Sequence, residues 1–138
     1  YDEQTPTKIS LVLEEAHTIV PEVSFLGVNN FDSKAIVNKM GQIALQGRKY
    51  GIGLLIIAQR TANVSKTVLT QCNTVICFQA FDETSFNFLG NYVGKDLVLT
   101  LPNLKQYTAI VTGKAVKSNT PMIIDLTRKV DEQTDTVN

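Results

Sequence analysis

The feature that most constrains the fold is a short apolar run, Ile9 to Leu13, that ends abruptly in two adjacent carboxylates. A run this short, bounded by polar residues, is typical of a buried strand rather than a helix. Glu14 and Glu15 then stand at the carboxyl end of the strand, which is the edge where α/β sheets bind ligands. Carboxylates there suit Mg²⁺, which prefers oxygen ligands, and a second carboxylate can polarise an attacking water. The alternative is a strand that runs into a solvated turn.

The composition describes a folded domain of modest size. The 138 residues are 43% apolar and 19% charged, which is enough for one domain with its own core. Thirteen basic and thirteen acidic side chains cancel, so net charge argues neither for nor against a nucleic-acid partner. The longest apolar run, Ile52 to Ala58, is too short to cross a bilayer, and we expect no signal peptide. The chain begins in a polar stretch without Met, so we expect a piece of a larger protein.

The cysteine content indicates the compartment. Cys72 and Cys77 are five positions apart, and on one strand that odd spacing places them on opposite faces, so they should not pair with each other. With one His and no further Cys, the chain does not favour a zinc site. Two unpaired apolar thiols favour a reducing cytoplasm.

Apolar residues at helical spacing predict a long helix over residues 33–50. Asp32 or Ser33 is a suitable N-cap, because both side chains can accept a hydrogen bond from a free backbone N–H. Gly51 is the expected C-terminal cap.

The chain beyond this helix predicts further alternation of strands and helices. A strand over 53–58 ends in Gln59-Arg60, and Ser65 is a possible cap for a helix over 63–71. The other predicted elements are a loop over 18–30, a strand over 74–79, a helix over 82–89, a turn over 91–96, and short strands over 97–101, 107–111 and 122–126.

This order predicts an α/β fold, in which a parallel sheet with crossover helices is followed by a C-terminal antiparallel hairpin region. We expect the division to be residues 1–96, an antiparallel extension over 97–127, and a polar tail over 128–138. No phosphate-binding loop G-x-x-x-x-G-K-[ST] is present. Gly94-Lys95-Asp96 and Gly113-Lys114-Ala115 come nearest, but both lack the earlier glycine and the hydroxyl. If the chain handles a nucleotide, the half that holds the phosphates lies elsewhere.

Three blocks together resemble the HerA branch of the HerA–FtsK superfamily of RecA-like ATPases. The first resembles the family's Walker B strand, the second its helix end, following strand and sensor Gln-Arg, and the third its C-terminal hairpin region. The blocks are Leu11-Val-Leu-Glu-Glu-Ala-His17; Gly47-Arg-Lys-Tyr-Gly-Ile-Gly-Leu-Leu-Ile-Ile-Ala-Gln-Arg60 with Val68-Leu-Thr-Gln-Cys-Asn-Thr74; and Leu101-Pro-Asn-Leu104 with Ala109-Ile-Val-Thr-Gly-Lys-Ala-Val116 and Pro121. The resemblance covers roughly residues 8 to 127.

The resemblance implies a partial RecA-like P-loop NTPase core that binds ATP and Mg²⁺ in a homo-hexameric translocase or helicase acting on double-stranded DNA. Such proteins work in DNA end processing or defence, with a nuclease such as NurA or another effector. From the thiols and the short apolar runs, we expect a cytoplasmic protein without a membrane partner. Two departures stand out. Gln106-Tyr107 replaces a frequent Gly-Glu pair, and Thr61 follows Gln-Arg where many members have Pro.

Residue roles follow from the same resemblance. Glu15 is expected to activate the water that attacks the γ-phosphate, and Glu14 to hold Mg²⁺ through water. Gln59 is expected to sense the γ-phosphate or position the water. Arg48 resembles an arginine finger donated to the next subunit's nucleotide, where its fixed charge and bidentate geometry suit phosphate. Arg60 is a second finger candidate or a structural partner of a carboxylate.

For several of these residues, an interpretation without a role in catalysis also stays open. Arg48 could only cap a helix end, and Gln59 could be an exposed loop residue. His17 could couple nucleotide state to the following loop, or be only a satisfied polar group. Lys49 could contact a neighbour or DNA, or be solvated.

Two other classes of function also remain open. One is a non-catalytic assembly or interaction domain of ATPase fold, favoured by the missing phosphate loop. The other is a related conjugation or secretion ATPase, which a membrane segment or coupling domain upstream would favour. If the chain is part of a HerA-type ATPase, the isolated piece is expected to be inactive, because it lacks the lysine-bearing loop that cradles phosphates.

Overall fold

The computed structural model describes residues 8–22, 24 and 31–127. In these residues five strands and four α-helices follow one another, joined by short 3₁₀ turns. The strands are β1 (Ile9–Leu13), β2 (Ile52–Ile56), β3 (Thr74–Cys77), β4 (Thr108–Gly113) and β5 (Met122–Asp125), and the helices are α1 (Phe31–Gln46), α2 (Lys66–Leu69), α3 (Glu83–Val93) and α4 (Lys95–Val98). Within the described ranges, no helix has the length and apolar character needed to cross a membrane.

The first sheet is the parallel pair that the sequence predicts. β1 and β2 pair in register from Ile9 opposite Ile52 to Leu13 opposite Ile56, and α1 forms the crossover between them. The α-helix ends at Gln46, four residues before the predicted end, and a 3₁₀ turn over Gly47–Tyr50 completes it. Gly51 caps that turn in the left-handed region, as expected.

The second sheet is antiparallel and includes β3. β4 pairs with β3 on one side and β5 on the other, and the β3–β4 ladder joins Thr74 to Gly113 and Cys77 to Ile110. The α/β class with a parallel sheet and an antiparallel C-terminal region is therefore confirmed, but β3 belongs to the antiparallel sheet. β3 precedes residue 96 and β4 follows it. The third predicted strand therefore shares a sheet with the C-terminal strands.

A cleft separates β2 from β3, which are not hydrogen-bonded to each other. One cavity of about 320 Å³ is bordered by residues 51–54 and 71–73, at the amino end of both strands. A second of about 420 Å³ is bordered by Ala58, Gln59 and residues 76–80, at the carboxyl end. The inner edges of the two strands therefore have no strand partner among the described residues.

The segment over 97–101 was predicted as a strand, and that prediction is wrong. It forms the end of α4 and the start of a 3₁₀ turn, Leu101–Asn103. Val98, Leu101 and Leu104 recur every three residues and are buried, which is helical periodicity rather than alternation. The predicted turn over 91–96 is likewise replaced by the last turn of α3 and the start of α4.

The short helix α2 also differs from its prediction. It spans four residues rather than 63–71, and Ser65 occupies its N-cap position without a side-chain hydrogen bond. The acceptor for the free backbone N–H of Lys66 is instead the Glu22 carboxylate, at 2.8 Å. The predicted loop over 18–30 is described only in part, at 18–22 and 24.

Two apolar clusters form the core. The first packs β1 and β2 against α1 and α2, and the second packs β3 and β4 against α3 and α4, with Phe88 touching both. The strands β1 and β2 were expected to be buried, but only one face is covered. Val12 and Leu55 are 51% and 52% exposed, although parallel sheets are normally covered on both faces. The helices α1 and α2 pack on the other face, so they do not cover this side of the sheet.

Both cysteines are free, as predicted. Cys77 lies in β3 and is buried, whereas Cys72 precedes the strand and is half-buried.

Candidate active site

Three of the residues predicted to form a site, Glu14, Glu15 and Gln59, lie at the carboxyl edge of the parallel sheet. Beyond the paired strands, the Ile57 N–H donates to Leu13 O at 2.9 Å and the Ala16 N–H donates to Ile57 O at 3.0 Å. These bonds continue the β1–β2 ladder past both strand ends. As a result, the residues that follow Leu13 are fixed beside those that follow Ile57.

Glu15 has an unusual backbone conformation. Its φ is 48° and its ψ is 49°, the left-handed region that glycine favours and that costs other residues about 1–2 kcal/mol. The Thr18 backbone N–H and hydroxyl both donate to Glu15 O at 2.9 Å, which holds this turn closed. Strain of this kind is often retained at functional sites, where the surrounding structure enforces it.

The Glu15 carboxylate accepts a hydrogen bond from Gln59, the residue that the sequence placed at the end of the neighbouring strand. Gln59 Nε2 donates to Glu15 Oε1 at 2.7 Å, which joins the ends of β1 and β2. Both side chains remain accessible to solvent. The arrangement places an amide and a carboxylate together at the open edge, where a substrate could meet both.

His17 faces the other oxygen of the same carboxylate. Its Nδ1 lies 3.4 Å from Glu15 Oε2, somewhat beyond a normal hydrogen bond. Nδ1 is shielded from water and makes no hydrogen bond within the described part of the chain. The alternative interpretation was that His17 is only a structural residue with its hydrogen bonds formed. The lack of a partner for Nδ1 does not fit that interpretation.

Glu14 lies in a different environment from that of Glu15. It is exposed and makes no hydrogen bond or ion pair with any other residue in the described ranges. A solvent-facing carboxylate with free oxygens at a strand end has the donor chemistry that Mg²⁺ prefers. The described residues form no cluster of three or more His, Cys, Asp or Glu side chains, so protein atoms alone do not make a metal cage among them. A water-mediated contact from one carboxylate fits that arrangement.

The two arginines lie at opposite edges of the sheet. Arg60 follows Gln59 at the carboxyl edge, on the same side as Glu15. Arg48 lies in the 3₁₀ turn before β2, at the amino edge, and lines the cavity there together with Lys8 and Asn73. The five residues of β2 separate the edges by about 16 Å at about 3.3 Å per residue. Arg48 is therefore not part of the Glu15–Gln59 cluster of its own chain.

The segments that leave the two strand ends are fastened to each other. Val20 O accepts from the Ser65 N–H at 2.8 Å, and the Glu22 N–H donates to Asn63 O at 2.9 Å. Val20, Val64 and Ser65 are almost fully buried at this contact. These bonds hold the segment that follows β1 beside the segment that follows β2.

A series of hydrogen bonds that links the side chains of Thr61, Ser85 and Asp82 was not predicted from the sequence. Thr61 Oγ1 donates to Ser85 Oγ at 3.1 Å, and Ser85 Oγ donates to Asp82 Oδ2 at 2.6 Å. Asp82 is the N-cap of α3 and accepts from the Ser85 N–H. Hydrogen bonds from Ser85 and then Thr84 hold the pKa of Asp82 below its ordinary value of 3.8. The Asp-x-x-Ser spacing at a helix start was the signal for this cap.

Comparison with known proteins shows similarity to helicases named HerA. The DNA double-strand break repair helicase HerA of Pyrococcus furiosus is 31% identical over 112 residues, which are 79% of this chain and 19% of that protein. The probable DNA double-strand break repair helicase HerA of Methanocaldococcus jannaschii is 31% identical over 120 residues, 85% of this chain and 22% of that protein. The chain thus spans about a fifth of the length of these relatives. No protein-family model matches it.

A solved structure of similar fold is the genome packaging NTPase B204 from Sulfolobus turreted icosahedral virus 2, in complex with ATPγS. It aligns with a TM-score of 0.61 at 20% identity over 83% of this chain and 50% of that protein. The fold is therefore that of part of a P-loop NTPase core. Within that class, the chain is related over most of its length to HerA-type helicases, and it carries the part of the core without a phosphate-binding loop.

Proposed function

We propose that this chain supplies the hydrolytic edge of a HerA-type ATPase that moves double-stranded DNA. The observation that carries the proposal is the 2.7 Å bond between Gln59 and Glu15 at the carboxyl edge of adjacent parallel strands. Glu15 accepts the proton of the attacking water, and Gln59 orients that water or the γ-phosphate. Relatives described as DNA repair helicases support this choice among nucleotide-dependent activities.

Glu14 is proposed to hold Mg²⁺ through water. The chemistry that the cation supplies when bound is neutralisation of the charge on the phosphate oxygens. The exposure of Glu14, and its lack of a protein partner in the described ranges, support this role.

Arg48 is proposed to act on the nucleotide of a neighbouring subunit in a homo-hexamer. Its place at the amino edge, about 16 Å along β2 from the Glu15 edge, argues against action on its own site. Its guanidinium is exposed and forms no ion pair with a described residue, so it is available for a phosphate. Arg60, at the edge where Glu15 lies, is the alternative finger or an organiser of the same site.

The rest of the proposed protein completes the nucleotide site. The chain has no loop able to cradle phosphates, and the edges of β2 and β3 border an open cleft. Val12 and Leu55 are exposed on a face that parallel sheets normally cover. We therefore propose that segments outside these 138 residues contribute the phosphate loop and cover this face. A nuclease or another effector, acting with the translocase in the cytoplasm, is the proposed partner.

The decisive variant is Glu15→Gln in the full-length protein. It keeps the size of the side chain and removes the base, so ATP hydrolysis should be lost while ATP binding is retained. Glu83→Gln, the same change at an exposed position of α3, is the control and should hydrolyse ATP normally. Phosphate release and binding of a fluorescent ATP analogue measure the two quantities. Hydrolysis at the wild-type rate by Glu15→Gln would refute the assignment.

The 138-residue chain offers a complementary test, because without a phosphate loop it should have negligible ATPase activity. Robust turnover by the purified chain would contradict the proposal.

A second candidate is a non-catalytic assembly domain of the same fold, favoured by the absence of a phosphate loop from these residues. The sequence of the parent gene upstream of Tyr1 separates the two. A G-x-x-x-x-G-K-[ST] motif there supports the ATPase, and its absence together with no ATP binding supports the assembly domain.

A further inference from the structure

His17 is placed against Glu15 by the strained turn, not by sequence proximity. The two residues are two positions apart, a spacing at which side chains in a regular helix do not face each other. Glu15, in the left-handed conformation, is the N-cap residue of the 3₁₀ turn Ala16–Thr18, which contains His17. Nδ1 of His17 therefore lies 3.4 Å from Glu15 Oε2.

The environment of the ring defines which nitrogen carries the proton. The His17 side chain is 37% exposed, yet Nδ1 is shielded from water and has no hydrogen bond with the residues that the structure describes. Nδ1 therefore belongs to the enclosed part of the ring. A carboxylate only accepts hydrogen bonds, and a neutral imidazole has one donor and one acceptor nitrogen. An acceptor at Nδ1 would face an acceptor oxygen, so Nδ1 must be the donor.

We propose that His17 is a positioning residue for Glu15, and that its Nδ1–H holds Oε2 while Gln59 Nε2 holds Oε1. Because each carboxylate oxygen accepts a hydrogen bond from a different residue, the carboxylate keeps one orientation. Its remaining lone pairs face the open edge. The 3.4 Å separation shortens when nucleotide binds, since catalytic hydrogen bonds are often long before the substrate arrives. The inference deepens the proposed function and rests on Glu15 being the base.

The tautomer itself can be observed in this chain without any nucleotide. His17 is the only histidine, so the imidazole ¹⁵N resonances need no assignment among several rings. In a spectrum recorded at about pH 9, the resonances should report the Nδ1–H form. Glu15→Ala should lower the population of that form, and Glu14→Ala, which changes the neighbouring carboxylate, should not. A dominant Nε2–H form in the wild-type chain would overturn the inference.

The catalytic consequence is tested in the full-length protein with a matched pair of variants. The amide nitrogen of His17→Asn lies near the position of Nδ1, whereas that of His17→Gln reaches the position of Nε2. We expect His17→Asn to keep most of kcat and His17→Gln to lose about 10–100-fold, with unchanged affinity for ATP in both. Equal losses in the two variants, or retention by His17→Gln alone, would contradict a role for Nδ1.

The same experiments separate this inference from the function on which it rests. If Glu15→Gln abolishes hydrolysis while His17→Gln behaves as wild type, only the positioning role fails. If Glu15→Gln hydrolyses ATP normally, the proposed function fails, whatever tautomer His17 adopts.

Discussion

The side-chain amide of Gln59 donates a 2.7 Å hydrogen bond to Oε1 of Glu15, and so connects two residues that are 44 positions apart. The bond exists because β1 and β2 pair in parallel, which brings their carboxyl ends to one edge. The first prediction concerns this pair.

Replacing Gln59 by Ala in the full-length protein should reduce kcat by about 10²-fold, because one preorganised donor is removed from the site. Nucleotide affinity should change little, because the phosphates are held elsewhere. Single-turnover hydrolysis and analogue binding measure the two effects. Gln46→Ala, an exposed glutamine at the end of α1, is the control. A loss of affinity without a loss of kcat would assign Gln59 to binding instead.

Arg48→Ala should abolish hydrolysis in a way that depends on the neighbouring subunit. Mixing it with Glu15→Gln subunits should restore some activity, because some interfaces then combine an intact Arg48 with an intact Glu15. Lys49→Ala, the adjacent exposed residue of the same 3₁₀ turn, is the matched control. Activity should be followed over a range of mixing ratios. No recovery at any ratio would count against action across subunits.

Gly113→Ala should strongly destabilise the antiparallel sheet. Gly113 has φ +108°, and an added Cβ would lie 2.1 Å from the backbone oxygen of Asn73. The conformation alone costs a non-glycine residue about 1–3 kcal/mol, and the backbone clash adds to it. Urea unfolding of the 138-residue chain measures the loss. Gly53→Ala, whose Cβ would meet nothing closer than 3.9 Å, is the control and should be much milder. Similar effects in both variants would contradict the explanation.

Asp82 should make stability dependent on acid pH. Its pKa is lowered in the folded chain by hydrogen bonds from Ser85 and Thr84. A carboxyl with a lowered folded-state pKa contributes stability above its ordinary value of 3.8, and that contribution is lost as pH falls through the lowered value. The stability difference between wild type and Asp82→Ala should therefore shrink on acidification below about pH 4. If this stability difference grew on acidification, the predicted direction of the pH dependence would be wrong.

The thiols should react slowly in the folded chain. Burial raises the pKa of Cys77 to about 11 and also raises that of the half-buried Cys72. At pH 8 about one Cys77 thiol in a thousand is then ionised, and only the thiolate is nucleophilic. Titration with a disulfide reagent should modify Cys72 first and Cys77 only on unfolding. Rapid modification of both thiols in the native chain would show that the sheet opens readily.

Local patterns were sufficient for the elements that carry the site. The apolar run Ile9–Leu13 forms a strand with those bounds, and Gly51 caps the predicted helical segment. The pairing of Glu15 with Gln59 was foreseeable once both were placed at the ends of adjacent strands. The helical segment over 97–104 was missed, because short apolar runs of Leu and Val fit strand and helix alike until burial is known.

The sequence by itself determined that two carboxylates and a Gln-Arg pair follow apolar strands, because side-chain order and hydrophobic period are local properties. Only the tertiary structure decided that β3 pairs with β4, that Glu15 adopts a left-handed turn, and that Nδ1 of His17 is enclosed beside Oε2. The pairing of β3 with β4 depends on hydrogen bonds between segments distant in sequence, which no local propensity encodes. The Glu15 turn is held by Thr18, three residues away, but its left-handed conformation is unfavourable for a residue other than glycine, so the sequence pattern does not predict it.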